Sequence, residues 1–457
     1  MNKIIKGVHV SKDQSGYVLP DNPLLRERLE WFRDQKLALM IHFGLYVELG
    51  ICASWPLSDE NAWWSRKGLE WEPDADKFRE QYFGLSRSFN PIRFEPEKWA
   101  EEAKNDGFRY LIFTTKHHDG FCLFDTKQTD YKVTSKDCPF HTHRYADVTK
   151  HLMDAFRQKG LGIAAYFSKA DWHSPFYWAP DMELPVGSVH NTTYDTRKHP
   201  EIWKKYLSFA HRQMMELVRD YGRIDIMWLD SGQVCPQNGQ DFRMNQIVGK
   251  MRKIQPWLIV ADRTVGGENE NYLTPEKSLP DQQWNVPWEV CMTVGKDFSY
   301  NYDDTYKSAG TLIRMLIKVV ARGGNLALNL SPQPDGRMPE KGLESLCGLG
   351  EWLKKNGEAI YETRPYRICE KGGIFYTCRK DSIYALIPSP HRIDEEKDTI
   401  IPVLEKIIDI TDLASGTHIS YCQKDGVIRA VLGPILRKGG SMPLALRMKT
   451  EGEEYDG

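Results

Sequence analysis

Seven short runs of apolar residues, each followed by a stretch with helical spacing, organise most of the chain. The runs cover residues 37–46, 109–118, 162–171, 223–230, 258–263, 288–294 and 325–330. An uninterrupted apolar run of this length is typical of a parallel strand that is buried on both faces. The pattern therefore predicts seven strands of one parallel sheet.

The intervening stretches have the spacing of amphipathic helices. Residues 96–107 and 147–160 both end at a glycine, as helices commonly do, and 200–222 and 304–323 are longer stretches of the same kind. Alternation of strand and helix over roughly 350 residues favours a (β/α)₈ barrel over two smaller α/β domains. The eighth strand has no apolar run of its own, so we expect either a complete barrel or an irregular one.

The pattern changes after about residue 361. Short strand-like runs follow one another at residues 374–378, 382–388, 399–403, 407–410, 417–422 and 426–432. Gly, Asp and Lys separate them, and no helical period recurs. These runs predict a small C-terminal β-sandwich. The expected domains are therefore a catalytic barrel over residues 1–362 and a β-sandwich domain over residues 363–457.

Composition narrows the classes of partner. The chain has 61 basic and 63 acidic residues among 457, so its charge gives no reason to expect nucleic acid or an anionic membrane as a partner. Nine cysteines without a C-x-x-C pair argue against a disulfide framework and a thiolate zinc site. No stretch approaches the about 20 apolar residues that a membrane-spanning helix requires. The sequence as it stands predicts a cytoplasmic protein, unless a leader was removed, and it leaves homo-oligomerisation open.

Polar and aromatic side chains cluster where the predicted strands end. They are His42, His117, His118, Tyr166, Asp171, Trp228, Asp230, Arg263 and Glu289. Chemistry in a (β/α)₈ barrel collects at the carboxyl ends of the strands, so these residues are expected to converge on one face. Any one of them alone is more often a structural residue. Together, acids, histidines, an arginine and aromatic rings predict a site that cleaves a polyhydroxylated substrate.

Several motifs in order resemble one enzyme family. They are MIHFG at 40–44, KHHDGF at 116–121, MWLDSG at 227–232, ADR at 261–263, WEVCMT at 288–293 and GGNLALNLSPQPDG at 323–336. From about residue 30 to 365 the chain resembles glycoside hydrolase family 29, the α-L-fucosidases. The resemblance implies a retaining exo-α-L-fucosidase that releases terminal fucose from fucosylated oligosaccharides or glycoconjugates. It implies a covalent fucosyl-enzyme and neither a metal nor an organic cofactor.

Carried over by motif, Asp230 matches the nucleophile of this family. The matching fucose-binding positions are His42, Trp55, His117, His118, Tyr166, Trp228 and Arg263. Attack requires an ionised Asp230, and a neighbouring Arg263 is expected to hold the pKa of that carboxyl down. Phe298, with the tryptophans, is expected to meet the C5 methyl group of fucose. Many members pair a Glu with a Trp after the first strand, whereas this chain has Ala53-Ser54-Trp55-Pro56 at the comparable place. Either Glu60 takes the place of that Glu or the contact is absent.

The general acid/base is expected to be Glu289. It lies in a W-E-x-C-x-T motif that resembles the acid/base element of one subgroup, and burial beside Trp288 would raise its pKa as a general acid needs. Glu268 and Glu270 are its rivals.

Two other functions remain open at this stage. His42, His117, His118 and Asp230 offer ligands for a divalent metal, as in barrel hydrolases that activate water. Adjacent side chains on a strand point to opposite faces, so His117 and His118 can both ligate only if the strand has ended or bulged there. The third possibility is a fucose-binding protein without activity, against which the presence of both Asp230 and Glu289 argues.

Overall fold

The computed structural model describes residues 14–58, 65–66, 68–180, 182, 190–390, 393, 398–433, 435–436 and 442–452. Glu60 lies outside these ranges. Each of the seven apolar runs contains a strand. The strands are β1 (Leu37–Ile41), β2 (Tyr110–Lys116), β3 (Gly162–Ser168), β4 (Ile226–Asp230), β5 (Ile259–Asp262), β6 (Glu289–Thr293) and β7 (Asn325–Asn329). They pair in parallel in the order β5-β4-β3-β2-β1-β7-β6, which confirms the seven predicted strands of one sheet.

The sheet curls into an irregular barrel. Met40, Tyr110, Tyr166, Trp228 and Cys291, from five different strands, pack into one interior cluster. Among the described residues, β5 and β6 are not paired directly, and a non-helical segment lies between them. This segment makes isolated bridges from Glu270 to Ala261, from Leu273 to Trp288 and from Glu276 to Cys291. It occupies the place where the eighth strand was expected.

Nine α-helices have all of their residues described. They are α1 (Pro23–Gln35), α2 (Tyr46–Leu49), α3 (Ala75–Gly84), α4 (Pro96–Asn105), α5 (Val148–Gln158), α6 (Pro200–Asp220), α7 (Met244–Ile254), α8 (Ala309–Ala321) and α9 (Glu340–Asn356). Local sequence explains where several helices begin. The Asp147 carboxylate accepts from the Lys150 amide and caps α5, and a proline is the first residue of α4 and of α6. Val148, Leu152 and Phe156 of α5 are buried, as their spacing predicts. Such apolar faces cover the outside of the sheet.

Antiparallel strands follow the barrel. They are β8 (Arg364–Lys371), β9 (Ile374–Arg379), β10 (Ser382–Ile387), β11 (Thr399–Pro402), β12 (Ile407–Asp412), β13 (Tyr421–Lys424), β14 (Val427–Ala430) and β15 (Leu444–Thr450). They form a five-stranded sheet, β12-β15-β10-β9-β8, and a three-stranded sheet, β11-β14-β13. Tyr376, Ile401 and Ile428 belong to a second hydrophobic core between them. The runs did not indicate β8 or β15.

The cysteines and the apolar character of the helices bear on the expected class of protein. All nine cysteines are free thiols, in agreement with the expected absence of a disulfide framework. Within the ranges given above, none of the helices has both the length and the apolar character needed to cross a membrane.

Candidate active site

A cavity at the carboxyl ends of the strands brings together nine of the residues singled out in the sequence. These are His42, Trp55, His117, His118, Tyr166, Trp228, Asp230, Arg263 and Phe298. The barrel explains the convergence, because β2 ends one residue before His117, β4 ends at Asp230 and β5 ends one residue before Arg263. The nine residues come from seven separate stretches of the chain, so only the closed fold assembles them.

Asp230 is the most heavily bonded carboxylate of the cavity. Its Oδ1 accepts from Arg263 Nη1 at 2.9 Å and from the Ser231 amide at 2.8 Å. Its Oδ2 accepts from the Tyr166 hydroxyl and lies 3.8 Å from His118 Nε2. Burial by itself raises the pKa of Asp230, but the charge of Arg263, His118 and the Tyr166 hydrogen bond together bring it well below the ordinary value. Asp230 is therefore ionised near neutral pH.

The three histidines are held by hydrogen bonds at Nδ1. His42 Nδ1 lies 2.7 Å from Asn329 Oδ1, His117 Nδ1 lies 2.6 Å from Ser54 Oγ, and His118 Nδ1 lies 2.7 Å from Ser168 Oγ. Burial lowers the pKa of His42 to about 4 and that of His117 well below its ordinary value. These two imidazoles are therefore neutral near pH 7 and suited to hydrogen bonds with hydroxyl groups.

His117 and His118 both face the cavity although they are adjacent in sequence. Because β2 ends at Lys116, the alternation of the strand no longer applies to them, and their ring centroids lie 4.1 Å apart. Among the described residues, atoms of His117, His118 and Asp230 lie within 4.8 Å of one another, as a metal site would require. The Arg263 guanidinium already supplies a cation to Asp230, so the donor set fits a metal poorly.

Aromatic rings form the walls. The Trp228 indole stacks on Tyr166, with centroids 5.0 Å apart and ring planes 21° from parallel, and Arg263 lies 4.4 Å from the Trp228 ring centre. Phe298 packs 5.1 Å from His42, and the half-buried Trp55 meets the His118 ring edge-on at 5.3 Å. Flat apolar surfaces beside polar side chains suit a sugar ring, which has both C–H faces and hydroxyl groups.

Glu289 does not line the cavity, and its expected place at the carboxyl end of a strand is wrong. It is the first residue of β6, so it lies toward the amino end of the parallel strands, in the barrel interior. Its side chain accepts from Trp228 Nε1 at 2.9 Å and from the Tyr110 hydroxyl. Burial raises its pKa to about 7, as expected, but a general acid also has to reach the leaving-group oxygen.

The two rivals of Glu289 also lie outside the cavity lining. Glu270 is buried and accepts from the amides of Thr264 at 2.9 Å and Gly266 at 2.7 Å, which closes the loop after Arg263. Glu268 is exposed on that loop. Neither position supports direct contact with a substrate in this cavity.

Glu276 is an acidic residue of the cavity lining that was not predicted from the sequence. Its Oε2 accepts from Arg263 Nη2 at 2.8 Å, so a single guanidinium joins Glu276 to Asp230. The segment that carries Glu276 has neither apolar alternation nor helical spacing, and Pro275 interrupts it. The one usable signal was the missing eighth strand, because the residues that take its place border the cavity.

Comparison with known proteins agrees with this geometry. The alpha-L-fucosidase family matches residues 7–358. The chain is 28% identical to the tissue alpha-L-fucosidase of Homo sapiens over 448 residues, covering 88% of either chain. Its structure resembles alpha-L-fucosidase isoenzyme 1 from Paenibacillus thiaminolyticus, with a TM-score of 0.78, 26% identity, and coverage of 94% of this chain and 100% of the other. The Thermotoga maritima alpha-fucosidase solved in complex with fucose gives a TM-score of 0.75 at 26% identity, with the same coverage.

These similarities confirm the predicted fold class, a barrel of this type with a C-terminal β domain. They also extend over almost all of the residues that form the barrel and its cavity. The chain therefore belongs to the alpha-L-fucosidase family and is a glycoside hydrolase.

Proposed function

We propose that this alpha-L-fucosidase acts on terminal fucose with retention of anomeric configuration, with Asp230 as nucleophile and Glu276, in place of Glu289, as acid/base. The observation that carries the proposal is that Asp230 and Glu276 both line this one cavity, where Arg263 lies between them and donates to each. Two neighbouring carboxyl groups, about 5–5.5 Å apart, are the arrangement that retaining glycosidases use.

In the first step, an Asp230 oxygen forms a bond to the anomeric carbon of fucose. The bond from that carbon to the leaving-group oxygen breaks, its electron pair stays on the oxygen, and the oxygen takes the proton of Glu276. The product is a fucosyl ester of Asp230 and the released remainder of the glycan.

In the second step, Glu276 takes a proton from water as the water oxygen bonds to the anomeric carbon. The ester bond to Asp230 breaks, and the carboxylate and free fucose are regenerated. The balance of atoms requires only water.

The surroundings of Asp230 support its role. A nucleophile must be ionised, and Arg263 and the Tyr166 hydroxyl hold the pKa of Asp230 down despite its burial. The neutral rings of His42 and His117 bind ring hydroxyls without adding positive charge beside the reacting carbon. Trp228, Trp55 and Phe298 cover the apolar faces of the sugar, and a cavity enclosed on these sides favours a terminal residue of a fucosylated oligosaccharide or glycoconjugate.

Time-resolved NMR of fucose release tests the proposal. Two inversions give net retention, so the first sugar to appear should be α-L-fucose, before mutarotation produces the β anomer. Appearance of β-L-fucose first would refute the retaining mechanism. Failure to hydrolyse an aryl α-L-fucoside would instead favour fucose binding without turnover.

A further inference from the structure

Glu289 remains a buried acid that the proposed reaction does not use. It is 1% exposed and lies beneath the cavity, among the interior residues of the barrel. Its two carboxyl oxygens accept from different donors. Oε1 accepts from the indole N–H of Trp228, and Oε2 accepts from the hydroxyl of Tyr110. Asn325 Nδ2 donates in turn to the Tyr110 oxygen at 3.3 Å. A buried polar network that is satisfied in this way holds its members in one arrangement.

Trp228 connects this network to the nucleophile. Its ring stacks on Tyr166 at 5.0 Å and lies 4.4 Å from the guanidinium carbon of Arg263. Tyr166 and Arg263 are the side chains that bond the two oxygens of Asp230. A shift of the indole would therefore disturb both contacts to the carboxylate at once.

We propose that Glu289 is a positioning residue, which holds the Trp228 indole by accepting its N–H and thereby keeps Tyr166 and Arg263 aligned on Asp230. The reaction requires a hydrogen-bond acceptor at this position and no proton transfer from it. The inference rests on the proposed function in one respect, the role of Asp230 as nucleophile.

The chemistry of the neutral side chain agrees with this role. Burial raises the pKa of Glu289 to about 7, so the uncharged acid is readily populated. A protonated carboxyl still accepts from Trp228 at one oxygen and can donate to the Tyr110 oxygen from the other. An amide has the same acceptor and donor, so glutamine reproduces both contacts but cannot act as a general acid.

The test compares Glu289→Gln with Glu289→Ala on aryl fucosides with good and poor leaving groups. We expect Glu289→Gln to keep kcat/KM within about 3-fold of wild type on both kinds of substrate. Glu289→Ala leaves the indole N–H without its acceptor and should lower kcat/KM about 10- to 100-fold, equally for both leaving groups. An acid/base role would be revealed if Glu289→Gln failed selectively on poor leaving groups, or if azide rescued Glu289→Ala and gave α-fucosyl azide.

The pH profile separates positioning from a general loss of folded enzyme. Misalignment of Arg263 and Tyr166 would raise the pKa of Asp230, so the acid limb of kcat/KM should move to higher pH in Glu289→Ala. Loss of folded protein would lower kcat/KM by the same factor at every pH and leave the limb in place, which would overturn the proposal.

Trp228→Phe provides a second variant if Glu289→Ala does not fold. It removes the donor of the same hydrogen bond while keeping an aromatic ring, and it should move the acid limb in the same direction. An unmoved limb in Trp228→Phe would count against the proposal. Azide rescue of Asp230→Gly tests the nucleophile independently, so failure of the positioning role and failure of the proposed mechanism are distinguishable.

Discussion

Asp230 and Glu289 are two carboxyl groups enclosed by the same barrel, one at the carboxyl end of β4 and the other at the amino end of β6. Burial opposes ionisation of both, yet the pKa of Asp230 is lowered and that of Glu289 is raised to about 7. The difference lies in their neighbours. Arg263 bonds Asp230 directly, whereas the donors that bond Glu289 are neutral, with Trp228 and Tyr110 among them. Burial alone therefore does not identify a catalytic acid, because its effect depends on what the fold places beside the group.

The largest expected effect follows removal of the proposed nucleophile. Asp230→Gly should lower turnover of aryl fucosides by about 10⁴-fold or more, because no fucosyl ester can form. Azide should then attack the substrate directly and give the inverted β-fucosyl azide, detected by NMR. Retention of the anomeric configuration in the fucosyl azide product would contradict the assignment of Asp230.

The next effect distinguishes Glu276 from the other acidic candidates. Glu276→Ala should lower kcat/KM on natural glycans about 10²- to 10⁴-fold. The rate of fucosyl-enzyme formation should fall much less for substrates with good leaving groups, because these need little protonation. Azide should restore turnover and give the retained α-fucosyl azide. Glu268→Ala is the matched control on the exposed loop and should behave like wild type. Rescue of Glu268→Ala or Glu270→Ala, without rescue of Glu276→Ala, would move the acid/base to the preceding loop.

Substitution of Arg263 should make the environment of Asp230 more like that of Glu289. Arg263→Met removes the charge that lowers the pKa of Asp230, so that pKa should rise and the acid limb of kcat/KM should move to higher pH. Arg263→Lys keeps the positive charge but lacks the forked guanidinium that donates to both carboxylates. We therefore expect kcat/KM to fall about 10- to 100-fold and its acid limb to shift less than in Arg263→Met. Identical pH profiles for Arg263→Met and wild type would contradict this account.

A smaller effect concerns stability at the amino end of the barrel. The folded-state pKa of Glu289 is raised above the unfolded value, so its contribution is complete below about pH 4.5 and is lost as the pH rises through about 7. Relative to Glu289→Gln, wild type should therefore lose on the order of 1–3 kcal/mol of unfolding free energy between these pH values. Urea denaturation at several pH values measures this difference. A constant difference between the two proteins would show that Glu289 does not titrate in this range.

Removal of metal ions should have no effect. Arg263 already neutralises Asp230, so the group formed by His117, His118 and Asp230 suits a divalent cation poorly. Activity after exhaustive dialysis against a chelator should therefore equal that of untreated enzyme. A loss that zinc or another divalent ion restores would revive the metal-dependent alternative.

The pattern of apolar residues along the chain was sufficient to predict the residues whose position depends only on their own strand. The apolar runs predicted all seven barrel strands, because strands buried on both faces must be apolar throughout. His117, His118, Asp230 and Arg263 occur at strand ends, so the parallel direction of the sheet was enough to expect them in one cavity. The family motifs pointed to the same positions and to fucose.

The acid/base candidate depended on tertiary structure. Glu289 is in a recognisable motif, but β6 begins at that residue, and one strand boundary decides whether its side chain lies at the cavity or beneath Trp228. Glu276 has no periodic signal because its segment takes the place of a strand through isolated bridges, and contacts with Arg263 and Cys291 determine its position. The chain alone therefore determined the strands, the residues at their ends and the chemical class of the site. Only closure of the barrel decided which carboxylate lies beside Asp230 in the cavity. The two carboxylates come from separate segments, and no local pattern encodes the distance between those segments in space.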